Sequence, residues 1–144
     1  MDREALGQGD KVTGKIRTHR DLMVWQNGMD AAMAIFNASK SFPPEERYSL
    51  TDQIRRSSRS VVANVAEAWR KRRYTAAFVA KLNDAESEAC ETQAWIELAS
   101  RCGYLDAPLA KELDTLYERI LSQLVVMVNR PEHWTINTLQ GGKR

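Results

Sequence analysis

Residues 78–99, which read FVAKLNDAESEACETQAWIELA, decide the fold class of this 144-residue chain. Apolar or small side chains recur there at alternating steps of four and three residues. That rhythm keeps them on one face of an α-helix, and it is typical of helices that pack at a shallow crossing angle. The predicted core face consists of Phe78, Leu82, Ala85, Ala89, Thr92, Ile96 and Ala99.

Three other segments have the same helical spacing, and none alternates as a β-strand does. Asp21 and Thr75 are predicted N-caps, and Gly103 is predicted to end helix three as a left-handed cap. Long amphipathic helices with short connections favour an all-α, antiparallel up-down four-helix bundle. We predict helices over residues 21–40, 44–72 (or from 50), 75–103 and 107–129.

The other three helices also have predicted core faces. On helix one we assign the large apolar side chains to the core face. On helix two the core face includes a serine. The three faces are Leu22, Trp25, Met29, Met33 and Phe36; Ile54, Ser58, Val61, Val65 and Ala68; and Leu109, Leu113, Leu116, Ile120, Leu124 and Met127.

Length and composition predict a single globular domain. The chain is 43% hydrophobic and 28% charged, close to the average for soluble proteins. We expect the bundle at residues 19–130, a flexible extension at residues 1–18 and a tail at residues 131–144. No apolar run is long enough for a membrane span, and Cys90 and Cys102 read as reduced thiols, so we expect a cytoplasmic protein.

The sequence contains no recognisable catalytic pattern. His19 and His133 both fall outside the predicted core, and neither follows a glutamate by three residues, as a di-iron bundle requires. Phosphate-binding loops, HExxH and the nucleophile elbow are also absent. We therefore expect no enzyme activity, no catalytic residues, no cofactor and no metal.

Charge is segregated along the chain although the net charge is only +2. Residues 47–73 carry eight basic and two acidic side chains. At 100° per residue, five arginines fall within about 100° of each other, which is an arrangement that can follow a nucleic-acid backbone. These candidate nucleic-acid-binding residues are Arg55, Arg56, Arg59, Arg70 and Arg73.

A second interpretation of the same arginines is structural. They can pair with an acidic stripe on helix three, formed by Asp84, Glu88 and Glu91, within one chain or across a subunit interface. Local pairs are also available, and cations at the end of helix two are favoured by its dipole. The local pairs are Asp52 with Arg56, and Glu67 with Arg70 or Lys71.

Several polar and aromatic residues of helices two and three are candidates for structural or interface roles. Asn64 lies at the edge of an apolar face and needs a hydrogen-bond partner, for which Ser60, Thr92 and Gln93 are available. Apolar side chains on the flanks of the core predict self-association through helices two and three. The flank residues are Val62, Trp69, Trp95 and Leu98, and the candidate structural or interface set is Asn64, Glu67, Trp69, Glu91, Gln93 and Trp95.

Six motifs in order resemble the 23S rRNA-intervening-sequence protein family, the bacterial "four helix bundle protein" family. The resemblance covers about residues 19–130, with Ala68 where the family commonly has glycine. The motifs are Asp21-Leu22-x-Val24-Trp25-Gln26; Phe42-Pro43-x-Glu45-Glu46; Gln53-Ile54-Arg55-Arg56 with Ser60 and Asn64-Val65-Ala66-Glu67; residues 68–74; Ala89-Cys90-Glu91-Thr92-Gln93-x-Trp95; and Cys102-Gly103-Tyr104-Leu105.

The resemblance implies a homopentamer of four-helix bundles around a central channel. A related bundle, the accessory protein of diversity-generating retroelements, is a strongly basic pentamer that binds nucleic acid and a reverse transcriptase. This chain is much less basic. We therefore expect a non-enzymatic oligomer that is a candidate for binding RNA or DNA. The alternative is a structural or protein-interaction scaffold, with an unknown protein partner, whose charges pair internally.

Overall fold

The structure is a computed structural model that describes residues 16–136. Most of the predicted extension and tail, residues 1–15 and 137–144, therefore lies outside the described residues. Within them, short 3-10 turns flank or connect four α-helices, and there are no strands. The helices are α1 (Met23–Ser39), α2 (Leu50–Arg70), α3 (Thr75–Arg101) and α4 (Ala107–Asn129), and the 3-10 turns are His19–Asp21, Pro44–Glu46 and Pro131–His133.

The helices pack in the cyclic order α1, α2, α3, α4. Neighbouring helices are antiparallel, as the pairing of α2 with α3 demonstrates. The Ser57 and Thr92 hydroxyls lie 2.8 Å apart, and Lys81 Nζ lies 3.3 Å from the Asn64 side-chain oxygen, so numbers rise on α2 as they fall on α3. The predicted all-α four-helix fold is confirmed. No helix within the described part is long and apolar enough to cross a membrane.

Two of the predicted helix caps are wrong and one is confirmed. Asp21 does not cap α1, because its carboxylate accepts the amide of Thr18 in the capping box of the preceding 3-10 turn. Thr75 is the first residue of α3, and Tyr74 occupies the N-cap position. Gly103 has a φ of 82°, the left-handed conformation that ends α3 at low cost for glycine.

The predicted core faces of α2 and α3 are confirmed at every position, since all their residues are buried. On α4 the prediction is confirmed at four positions, while Leu109 and Leu116 are only partly buried. The α4 face also includes Tyr117, which is fully buried, and Gln123, whose amide oxygen accepts a hydrogen bond from Asn27 on α1 at 3.1 Å.

The predicted core face of α1 is wrong beyond Leu22. Trp25, Met29 and Phe36 are only partly buried, and Met33 is 50% exposed. The side of α1 that faces the bundle carries smaller side chains, which allow the helix to approach its neighbours closely. The buried residues of α1 are Met23, Val24, Gly28, Ala31, Ala32, Ile35 and Ser39.

Gly28 lies at a close contact between α1 and α2. A Cβ atom added there lies 3.0 Å from Val62 Cγ1, tighter than ordinary van der Waals contact. We expect Gly28→Ala to gain less than the roughly 1 kcal/mol that alanine gains over glycine in a helix. In a Val62→Ala background the same change should be more favourable. Urea unfolding of the four proteins measures this coupling, and strict additivity of the two changes would contradict the close contact.

Two of the predicted flank residues are already covered within one chain. Trp69 is 6% exposed and belongs to the core, so its placement on an open flank is wrong. Val62 is partly buried and contacts the α1 surface at Gly28. Trp95 is partly buried, and Leu98, at 45% exposure, remains open.

The turn between α1 and α2 is tied to the turn between α3 and α4. Tyr104 donates its hydroxyl hydrogen to Glu46 at 2.8 Å, and its ring packs on Phe42 with the centroids 5.5 Å apart. The hydrogen bond, burial and the charge of Glu46 raise the pKa of Tyr104 to about 12. The connection therefore depends on the protonated phenol.

This hydrogen bond predicts a dependence of stability on alkaline pH. Because folding raises the phenol pKa above its ordinary value of 10.0, the contribution is complete below pH 10 and is lost as pH rises through about 12. Tyr104→Phe should remove that part of the alkaline destabilisation. Tyrosinate absorbance and urea unfolding over this range measure both effects. Ionisation of Tyr104 near its ordinary pKa would contradict the prediction.

Candidate nucleic-acid interface

The five candidate arginines do not form one uniform surface, because α2 lies between α1 and α3. Arg55 points toward α1, where its Nε donates to the Ser39 hydroxyl at 2.7 Å and its guanidinium lies 4.8 Å from the centre of the Phe36 ring. Both contacts hold the side chain against the protein. Arg55 therefore contributes to the α1–α2 packing through its Nε and the face of its guanidinium group.

Arg56 points toward α3 and pairs with the acidic stripe. It forms ion pairs with Glu88, at 3.4 Å, and with Glu91, which also accepts the indole N–H of Trp95 at 3.1 Å. Burial alone would lower the pKa of Arg56, but the two carboxylates raise it above its ordinary value. The structural interpretation is thus correct for Arg56, although its partners lie on α3 and not at Asp52.

Arg59, Arg70 and Arg73 are exposed, and none has an ion-pair partner among residues 16–136. Arg59 and Arg70 lie about 16 Å apart along α2 and differ by only about 20° around its axis. Arg73 follows in the turn that leads to α3. The shallow surface pocket beside Arg59 is lined by Asp52, Arg56, Arg59, Ser60 and Ala63.

Asn64 and Glu67 meet on one lysine of α3. Lys81 lies 2.6 Å from the Glu67 carboxylate and 3.3 Å from the Asn64 amide oxygen, while the Asn64 amide nitrogen donates to the Ser60 carbonyl. The hydrogen bond that Lys81 donates to the Glu67 carboxylate raises the pKa of Lys81. Of the partners proposed for Asn64, only Ser60 is used, and the predicted pairing of Glu67 with Arg70 or Lys71 is wrong.

The sequence did not identify Lys81 as a partner, because its pairing depends on the register between α2 and α3. The same register places Thr92 against Ser57, so Thr92 is not the partner of Asn64. Gln93 faces the other neighbour of α3 and donates to Glu118 of α4 at 2.9 Å. These contacts join α3 to both adjacent helices.

Trp69 and Arg72 form a compact pair at the end of α2. The Arg72 guanidinium lies 3.8 Å from the centre of the indole and donates to the Trp69 carbonyl at 2.8 Å. Burial, followed by the positive charges of Arg70 and Arg73, lowers the pKa of Arg72. Arg72 therefore caps the helix, and its two arginine neighbours remain at the surface.

The two histidines pack against tryptophan rings, and the two cysteines are free thiols. His19 packs edge-on against Trp25 with ring centroids 5.2 Å apart, and Cys90 and Cys102 are exposed free thiols. Between residues 16 and 136, no group of three histidine, cysteine or acidic side chains is placed to hold a metal ion. The chemistry offered by this surface is that of exposed guanidinium groups.

Comparison with known proteins identifies the family. A Bacteroides thetaiotaomicron VPI-5482 protein of unknown function, from the S23 ribosomal protein family, has a crystal structure similar to this chain with a TM-score of 0.68. It is 30% identical, over 74% of this chain and 98% of that one. No curated protein matches. The family model for the 23S rRNA-intervening sequence protein matches residues 20–126, so the chain belongs to that family.

Proposed function

We propose that this protein is a non-enzymatic, oligomeric protein that binds RNA or DNA through phosphate contacts made by Arg59, Arg70 and Arg73. One observation carries the proposal: these three guanidinium groups are exposed and have no ion-pair partner in the described chain. Arg55 and Arg56 are excluded from the proposed contact set, because both are bound to neighbouring helices.

The spacing of these arginines supports contacts to a phosphate backbone. Guanidinium groups donate two parallel hydrogen bonds to a phosphate and stay charged at any physiological pH. Arg59 and Arg70 lie in line on α2, and Arg73 follows in the turn after the helix. A nucleic-acid strand lying along α2 brings phosphates that are separated by more than one nucleotide within reach of Arg59 and Arg70.

An equilibrium titration tests this function directly. A labelled RNA strand of roughly 16 nucleotides is titrated with the full chain at about 50 mM salt, and fluorescence anisotropy reports binding. We expect saturable binding that weakens as salt increases. Absence of binding at the lower salt concentration would refute the proposed function.

We also propose that the protein assembles into a homopentamer. A closed ring uses two different faces of each subunit, and exposed apolar side chains occur on more than one face of the bundle: Met33 on α1, Leu98 on α3, and Val125 and Val126 on α4. Light scattering is expected to give five times the 16.4 kDa chain mass. A mass equal to one chain would contradict the assembly. The two free thiols fit a cytoplasmic location for this assembly.

A structural scaffold or protein-interaction module is the second candidate function. The pairing of Arg56 with Glu88 and Glu91 favours it, because that network uses charge to join α2 to α3. In a scaffold, Arg59 and Arg70 form ion pairs with acidic residues of neighbouring subunits. Assembly then depends on both arginines. Light scattering of an Arg59→Glu, Arg70→Glu variant separates the two functions, since only the scaffold predicts loss of the oligomer.

A further inference from the structure

One end of the bundle combines basic and aromatic side chains. It is formed by residues 16–25, 69–76 and 129–136, and we refer to it as the basic end. The 3-10 turn His19–Asp21 packs on α2, and the turn Pro131–His133 packs on α3. The amide of Ile136 donates to the Arg72 carbonyl at 2.9 Å, so the segment after α4 lies against the α2–α3 turn.

The charge of the basic end contrasts with that of the opposite end. The basic end contains seven basic residues and only two acidic residues, Asp21 and Glu132. The opposite end, residues 39–50 and 101–107, carries three basic and three acidic side chains. The positive charge of the molecule is therefore concentrated at one end. The seven basic residues are Arg17, Arg20, Arg70, Lys71, Arg72, Arg73 and Arg130.

Most of this charge is available to a ligand. Arg70, Lys71, Arg73 and Arg130 are exposed, and no carboxylate among residues 16–136 forms an ion pair with any of them. Arg72 is held against the protein by its stack on Trp69. Such a concentration of unpaired cations attracts a polyanion and repels other cations.

Two aromatic rings, one of them exposed, lie among these cations. Tyr74 directly follows Arg73 and is 61% exposed. Trp134 is half-buried beside His133, with ring centroids 5.6 Å apart. An exposed ring beside unpaired arginines can stack a nucleobase while the arginines hold the adjacent phosphates.

We propose that the basic end selects single-stranded nucleic acid, with Tyr74 stacking an unpaired base and Arg70 and Arg73 contacting the flanking phosphates. This inference rests on the proposed nucleic-acid function and adds the class of ligand. In a duplex the bases are stacked on each other and their faces are hidden, so a duplex offers only its phosphates to this end. Single strands therefore gain the stacking contact that duplexes lack.

The test compares a labelled RNA strand of roughly 12 nucleotides with the duplex formed from the same sequence, using the full chain at about 50 mM salt. We expect tighter binding of the single strand. Tyr74→Ala should weaken single-strand binding by about 5-fold or more and leave duplex binding unchanged. Tyr74→Phe, which keeps the ring, should bind like the wild type.

Tyr48 provides the matched control, because it is 85% exposed and lies at the opposite end of the bundle. Tyr48→Ala should leave both affinities unchanged. Equal affinity for the strand and the duplex, or wild-type binding by Tyr74→Ala, would overturn the stacking inference and leave the proposed function standing. Failure to bind either ligand would refute both.

Discussion

Replacing Arg59 and Arg70 together by glutamate is expected to reduce the affinity for RNA by at least about 100-fold at low salt. Each arginine removed deletes a charge-assisted hydrogen bond that contributes about 1.5–3 kcal/mol, and each glutamate adds repulsion to a phosphate. Both side chains are exposed and lack ion-pair partners in the described chain, so stability should fall only by about 1–2 kcal/mol, through the reversed charge at the C-terminal end of α2. Fluorescence anisotropy measures the affinity, and circular dichroism checks the fold.

The matched control reverses two charges at the other end of the bundle. Arg47→Glu with Lys111→Glu also changes the net charge by four units, and both residues are exposed. If binding depends on the α2 surface, this control should retain most of the affinity. Equal losses in both variants would mean that only net charge matters, which contradicts a localised interface.

Replacing Phe78 by alanine is expected to destabilise the fold by about 3–5 kcal/mol. Its ring is fully buried where α3 begins, and the cavity left behind cannot be filled by neighbours already packed around it. Urea unfolding at one fixed protein concentration measures the loss. Tyr74→Ala, four residues earlier and exposed, should change stability by less than about 0.5 kcal/mol. Similar losses in both variants would contradict the core assignment.

The core of α3 was predictable because spacing alone determines it. Its four-and-three rhythm admits one continuous face, and the residues of that face, from Phe78 to Ala99, are buried in the structure. The same holds for α2, where a buried serine, Ser58, fits because its hydroxyl donates to the Arg55 carbonyl at 3.0 Å. A polar residue on a core face is tolerated when its own helix satisfies it.

The core of α1 was not predictable from hydrophobicity, because two faces of that helix are apolar. Trp25 and Met33 are the larger side chains, yet Gly28 and Ala31 face the core. Close approach of α1 to Val62 on α2 requires small residues at the contact. The size of the side chains determines which of the two faces packs against α2. The spacing of residues within α1 does not describe the surface of α2, so it cannot predict that choice.

The sequence predicts that the arginines of α2 cluster on one side of the helix, but it does not predict which of them are available to bind a ligand. Helical geometry correctly places Arg55, Arg56 and Arg59 on one side of α2. Their contacts differ, however, because each lies beside a different part of the neighbouring helices. Arg55 contacts Ser39 on α1, Arg56 contacts Glu88 on α3, and Arg59 lies between them and remains exposed. The way in which neighbouring helices are aligned determines which arginines form ion pairs. The folded bundle is therefore needed to distinguish arginines that stabilise the fold from arginines that can bind a ligand.

The salt dependence of RNA binding tests the phosphate-contact proposal most directly. Affinity of the wild type and of Arg70→Ala is measured by anisotropy between about 50 and 200 mM salt. We predict a steep linear fall of log affinity with log salt for the wild type. The slope for Arg70→Ala should be shallower by about one for each Arg70 that contacts a phosphate. Identical slopes for the two proteins, or no binding at the lowest salt, would contradict the account.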